Sequence, residues 1–385
     1  AQSKAQTSYE IQEAVKVLIP NPEKLSEPEK IRRVFQFITD NIRYSSVSFR
    51  QSAFIPQKAR DVLVNKIGDC KDVSTLGIAM LRELGINAHY VLVNSGNEER
   101  LLNLLPSIAF NHCIIAVEES GKQRPLFLDL TASNFPTGAM PSADRNAFSL
   151  LIRPGNTQPL LLPDKQYSAP TFVSRASIEF TDDGMMIQGA EKITGALTAQ
   201  YRAAYKGKNS AEQKKLLQSS LASDIPSARV SDMGVFGVDS LANHISLLYR
   251  YEAPNTVAEA GTYKIVRIPW RNDLPSEDAL SYEKRTYPIK HLYDVDTTFE
   301  EISMLIPKGY ELAEVPQSIR LSHAAAEYDY SVLASEKEGF SILTVTRRFI
   351  KKKTFIESSE YQSFKDFYAK AVREDRRQLL LKKKE

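Results

Sequence analysis

The sequence predicts an α+β fold in two parts, a helix packed on an antiparallel sheet followed by a β-sandwich-like domain with inserted helices. Three observations carry this. Residues 70–84 form one apolar run with helical spacing, through Val73, Leu76, Met80, Leu81 and Leu84, and Gly85 is its stop signal. Strand-like runs follow at 88–94, 110–118 and 126–131, the last two punctuated by Gly121 and Pro125 and expected to pair as antiparallel neighbours. From about residue 167 the character changes to strands, opening with two runs that flank Asp183-Gly184, a hairpin signal. A length of 385 residues suits two domains. Pro154-Gly155, Pro159, Pro163 and Pro170 make a linker, so the expected domains are 1–163 and 164–385.

Ahead of the central helix, Ile11, Val15, Val17, Leu18 and Ile19 suggest a short helix ending before Pro20. Ser26 and Glu29 form a capping box, with Pro28 in the first turn of the helix that carries Ile31, Val34, Phe35, Ile38 and Ile42 on one face. Residues 45–67 connect that helix to Cys70 and include Ser45, Ser46, Val47, Ser48 and Phe49, then a short helix over 58–65. Phe148 to Ile152 reads as the last strand of this domain.

Gly68 lets the backbone turn before Cys70, which then falls in the first turn of the helix. Exposed N–H donors and the positive end of the helix dipole favour a thiolate there. The plain alternative is a small buried hydrophobe. Asp69 and Asp72 are read as caps and Lys71 as solvated. One helix-borne Cys, one strand-borne His (His112) and one strand-borne Asp (Asp129) follow in order. A thiol acyl-transfer site requires a base that reaches the sulfur and a third group that holds the imidazole. His89 competes with His112 but lacks the Asn111-His112 context, and Cys113 points away from His112 on its strand.

The stretch Gly68-Asp69-Cys70-Lys71-Asp72, then Leu84-Gly85-Ile86, Asn111-His112 and Leu128-Asp129-Leu130-Thr131, resembles the transglutaminase-like superfamily of papain-fold cysteine enzymes. The resemblance runs from about residue 30 to 163. It implies Cys70 as nucleophile, His112 as general base and Asp129 as orienting acid. Leu130 stands where family members often carry Pro. A second oxyanion donor would lie upstream of the cysteine, with Tyr44 and Gln57 as candidates beside the Cys70 N–H. The resemblance also implies a bacterial, extracytoplasmic (periplasmic or secreted) protein in which this core lies between two β-rich domains, so an N-terminal β-rich domain would be missing from this chain. The start Ala1-Gln2-Ser3 shows no signal peptide.

Composition narrows the classes further. Charged residues make up 25% and hydrophobic ones 42%, as in an ordinary globular protein. With 50 Lys plus Arg against 47 Asp plus Glu, the net charge of +3 argues against nucleic acid as a partner. Two cysteines build no disulfide framework, no Cys/His cluster has zinc-ligand spacing, and no cofactor is implied. No apolar run reaches the roughly 18 residues of a transmembrane segment.

In the second half, helices are expected over 196–205 and from a Ser210 cap with Gln213 to residue 221. Strands are expected at 245–252, 262–268, 298–306, 325–333 and 340–350, and a last helix capped by Ser359 and Gln362. The basic run 347–353 reads as a solvated edge strand, and the lysines at 382–384 as a frayed tail. His244, His291 and His323 are scattered and form no catalytic constellation, which leaves a protein partner as the domain's expected role. The loop 95–106, rich in leucine, is a candidate substrate wall or lid.

The expected function is cysteine-dependent acyl transfer on a peptide or glutamine-type amide, in a peptide or protein substrate. Water is the default acceptor, so hydrolysis is favoured over cross-linking. The alternative is a binding or scaffolding protein with this fold and little turnover. Arylamine transfer from a thioester would need a cofactor groove that the sequence does not reveal.

Overall fold

The computed structural model describes residues 2–45, 55–96, 110–156, 158–164, 170–239, 243–290, 296–337 and 340–384. The leucines of the 95–106 loop, Ser46 to Phe49, and His291 lie outside the described residues. The chain divides into two units, Ala1–Ser168 and Ala169–Glu385.

The first unit starts with α1 (Tyr9–Leu18) and α2 (Glu27–Asn41), then β1 (Arg43–Tyr44), α3 (Ala59–Asn65), β2 (Ile67–Gly68) and α4 (Cys70–Glu83). Ser26 caps α2 by accepting the Glu29 N–H, but the expected box is only half formed, because the Glu29 carboxylate is taken by Arg32 and Arg33. β1 and β2 pair in parallel, Tyr44 opposite Gly68. The strands β3 (Ala88–Val93), β4 (His112–Val117), β5 (Leu126–Leu128), β6 (Phe148–Ile152) and β7 (Leu160–Leu161) form an antiparallel sheet in the order β5-β4-β3-β6-β7.

Strand alternation splits this sheet into two faces. Val91, Val93, Ile114 and Ala116 pack on Phe127, Met140, Leu151 and Leu162. On the other face lies α4, buried along most of its length. Gly77 marks the close approach: a Cβ there would stand 2.3 Å from Leu130 Cδ1. Ser74 Oγ and Thr75 Oγ1 complete the contact, on the Cys113 carbonyl at 3.2 Å and the Tyr90 hydroxyl at 2.9 Å.

The second unit begins with the hairpin β8 (Thr171–Phe180) and β9 (Gly184–Thr194). Gly184 is required where Ala253 O would stand 2.2 Å from a Cβ. The inserted helices α5 (Thr198–Tyr205) and α6 (Ser210–Leu221) follow. Then come β10 (Arg229–Phe236), β11 (His244–Pro254), β12 (Val257–Ala260), β13 (Tyr263–Arg267), β14 (Ile289–Lys290) and β15 (Thr297–Leu305). The unit ends with β16 (Tyr310–Leu312), β17 (Ile319–Ser322), β18 (Ala326–Lys337), β19 (Phe340–Lys351), β20 (Phe355–Ile356), α7 (Tyr361–Asp375) and β21 (Gln378–Lys383). An eight-stranded sheet runs β10-β11-β9-β8-β15-β19-β18-β17, antiparallel except for β8 with β15. A four-stranded sheet runs β12-β13-β21-β16. One apolar cluster links both sheets and α7, through Ile187, Val345, Val266, Leu381 and Phe364.

Several local expectations are corrected here. The basic run is an interior strand: β19 lies between β15 and β18. Arg347 is fully buried and pairs with Glu300 and Asp375, and Lys351 is buried against Asp296 at 3.0 Å. Period-two alternation sends alternate cations inward, where the carboxylates of Asp296, Glu300 and Asp375 neutralise them. The C-terminal lysines are not frayed, because β21 pairs with β13 and β16 and the Lys384 N–H reaches Gly309 O at 2.7 Å. α6 is capped by Asn209 with Glu212, one residue earlier than Ser210 with Gln213. α7 enters from a 3₁₀ turn at Ser358–Glu360 and has no side-chain cap.

Candidate active site

α4 begins at Cys70 because its first turn is closed by two carboxylates. Asp69 Oδ1 accepts the Asp72 N–H at 3.3 Å, and Asp72 Oδ2 accepts the Asp69 N–H at 3.2 Å. This reciprocal box leaves Cys70 as the first helical residue, half-buried at the positive end of the helix. Gly68 is needed for it, since a Cβ there would lie 2.7 Å from Asp72 Cβ. Lys71 is not solvated but pairs with Asp69, both largely buried.

Gln57 closes the same cap. Its backbone N–H and its Nε2 each donate to Asp72 at 2.8 Å. The structure thus aims the Gln57 amide at the helix cap of Cys70, engaged with Asp72. Tyr44 sits on β1 beside Gly68, 45% exposed.

Ser74 lies one turn beyond Cys70 on α4, and its bond to the Cys113 carbonyl brings the helix start to the beginning of β4. His112 is the first residue of β4. Its Nε2 stands 3.3 Å from Asp129 Oδ2, and Cys70 is among the groups that act on its ring electrostatically. Asp129 follows the end of β5, and its Oδ1 accepts from Thr131 N at 2.9 Å and Thr131 Oγ1 at 2.7 Å. This Asx turn leaves Oδ2 for the imidazole. His89 is occupied elsewhere, 3.2 Å from Glu118. Cys113 is buried, and burial with the neighbouring Cys70 pushes its thiol up to about 12. It stays an inert thiol.

The electrostatics follow from this placement. Burial opposes a charge on His112, but the interactions with Asp129 and Cys70 and the charge of Asp144 outweigh it and raise the imidazole to about 11. Burial likewise opposes the Asp129 carboxylate, yet His112 and the Thr131 donors hold it below the usual carboxylate range.

Asp144 is the residue that sequence reasoning missed. It lies in the irregular stretch before β6, only 1% exposed, with Oδ1 accepting from Ser95 Oγ at 2.6 Å. Burial and the charge of Asp129 push its carboxyl up to about 6. Ser95 is itself clipped by Asn111, which accepts the Ser95 N–H and donates to the Ser95 carbonyl, both at 2.8 Å. The Asn of Asn111-His112 therefore holds the loop that holds Asp144. Nothing local in 134–147 signals this, because the partners, Ser95, His112 and Asp129, lie elsewhere in the sequence. Polar atoms of His112, Asp129 and Asp144 lie within 4.8 Å of one another, a spacing that would also admit a metal ion. In this geometry His112 and Asp129 already satisfy each other.

Comparison with known proteins fits this architecture. Residues 16–119 match the transglutaminase-like superfamily, and this part of the chain is a transglutaminase-like core. Residues 265–381 match a family described as a domain of unknown function with a solved structure, DUF3858. A crystal structure of a candidate protease from Parabacteroides distasonis ATCC 8503 is similar over 98% of this chain, with 13% identity and a TM-score of 0.56. The chain spans 56% of that protein's length, and at this identity the likeness shows the fold alone. A candidate cysteine protease from Cytophaga hutchinsonii aligns over 33% of this chain and 39% of its own, 22% identical, with a TM-score of 0.24 that carries no argument. No curated protein matches the chain.

Proposed function

We propose that the first unit performs cysteine-dependent acyl transfer on amide bonds of a peptide or protein, ending in hydrolysis. The observation that supports this is one imidazole, His112, 3.3 Å from the Asp129 carboxylate and within electrostatic reach of Cys70 at the start of α4. The Cys70 sulfur attacks the amide carbonyl, and the Cys70 N–H at the helix start stabilises the oxyanion. His112, held as imidazolium, protonates the leaving amine, so the C–N bond breaks and a thioester remains. Water then attacks the thioester, His112 takes its proton, and the acid leaves as the thiol pair is restored. Asp129 keeps the imidazole in one orientation throughout. Water is favoured as the acceptor because it is the solvent and no bound amine is needed.

Thiol alkylation tests the first half of this reading. Iodoacetamide should label Cys70 selectively over Cys113 at and below neutral pH, and His112→Ala should abolish the preference. Peptide hydrolysis by the intact chain, lost in Cys70→Ser, tests the second half. Equal, slow labelling of both cysteines sinks the proposal.

A further inference from the structure

The C-terminal unit contains a cavity of 610 Å³, within the range of about 300–1,000 Å³ typical of small-ligand sites. Tyr201 and Tyr205 of α5, Tyr251 of β11, and Trp270 and Arg271 beyond β13 contribute to its wall. These elements carry none of the residues assigned to the candidate active site.

Several polar groups in this wall lack partners. Arg271 donates its Nε to Glu191 at 2.7 Å and its backbone N–H to Glu300 at 2.8 Å, and its guanidinium lies over the Tyr249 ring. Its two terminal amino groups meet no acceptor among the described residues. The Tyr251 hydroxyl is buried with no partner, and the Tyr201 and Tyr205 hydroxyls also have none among the described residues. Burial raises all three phenols, Tyr251 to about 12, and the Arg271 charge acts against that rise in each. The phenols are therefore protonated donors within electrostatic reach of one guanidinium.

Donors without acceptors in one cavity wall call for an anion, and a guanidinium whose two amino groups meet no acceptor among the described residues matches two coplanar oxygens. Glu191 already balances the Arg271 charge, which favours a monoanionic carboxylate over a phosphate dianion. The cavity also offers the amides of Gln200 and Asn255, suited to peptide groups, and the exposed carboxylate of Asp224, suited to an ammonium. We infer that this cavity is a binding site for short peptides, with the peptide's C-terminal carboxylate on Arg271 and the hydroxyls of Tyr201 and Tyr205.

Trp270 is the single tryptophan of the chain and lines the cavity, so its fluorescence reports occupancy. The intact chain carrying Cys70→Ser is titrated with Ala-Ala-Phe, with the same peptide amidated at its C terminus, and with inorganic phosphate. The free acid should give a saturable change, and the amide and phosphate should bind at least about tenfold more weakly, roughly 1.4 kcal/mol. Tyr201→Phe with Tyr205→Phe keeps the rings and the Arg271–Glu191 pair and should weaken the free acid severalfold. Arg271→Lys keeps a cation beside Glu191 and should erase the preference for acid over amide. Equal affinity for acid and amide, phosphate binding as tightly as the peptide, or no response to the free acid at millimolar concentration overturns the inference. The readout is binding, so the outcome is independent of any turnover at Cys70.

Discussion

Ser74 Oγ donates to the Cys113 carbonyl across 3.2 Å, with Ser74 fully buried. The bond joins the first turns of α4 to the start of β4, so it registers Cys70 against His112 without touching either side chain. Removing the hydroxyl with Ser74→Ala leaves a buried carbonyl unpaired. We expect a loss of about 1–3 kcal/mol in urea unfolding. Turnover per folded molecule should also fall, since the helix start is free to shift.

Asp129→Asn is expected to act through His112. Without the carboxylate the imidazole should titrate well below its value of about 11, back toward the ordinary 6.5, as followed by histidine NMR. The raised value means that His112 stabilises the fold fully below the ordinary 6.5 and that this is lost as pH rises through about 11. The lowered Asp129 contributes in the opposite window, above its ordinary value of 3.8, and its contribution fades as pH falls through its depressed titration. Amide hydrolysis should drop by at least about 10²-fold.

Asp144→Asn should change the pH dependence of stability rather than only its level. Folding favours the acid form of Asp144, so its contribution is complete below the ordinary 3.8 and is lost as pH rises through about 6. A rise from 3.8 to about 6 is equivalent to about 3 kcal/mol between the two protonation states. Thermal unfolding between pH 4 and 8 should therefore show the wild type losing stability relative to the variant. Parallel curves for the two proteins would show that Asp144 does not titrate there.

Gly77→Ala should be costly despite adding one methyl to a helix. The added carbon meets Leu130 at 2.3 Å, with Ile38 and Ile115 behind it. Overpacking outweighs the gain in helix propensity of about 1 kcal/mol, and a net loss of about 1–3 kcal/mol is expected by chemical denaturation.

In the second unit, Arg347→Met should leave Glu300 and Asp375 as buried carboxylates without their shared cation. Breaking such a pair costs about 3–5 kcal/mol. The triple change Arg347→Met, Glu300→Gln and Asp375→Asn should recover much of it. Urea unfolding of the single and triple variants makes the comparison.

Local pattern was enough to locate α4, the flanking strands and the β8–β9 hairpin, because helical and strand periodicity and the turn residues at Asp183-Gly184 are properties of short stretches. The order Cys70, His112, Asp129 was readable for the same reason, each standing at a recognisable helix start or strand end. Sequence alone also placed the caps at Asp69 and Asp72. It was blind to Asp144, to the burial of Arg347 and to the pairing of β21. Those depend on partners far along the chain: Ser95 for the first, Glu300 and Asp375 for the second, β13 and β16 for the third. A charge run looks solvated until a sheet closes around it. Whether a carboxyl keeps its proton depends on the dielectric and the charges that only the folded chain assembles.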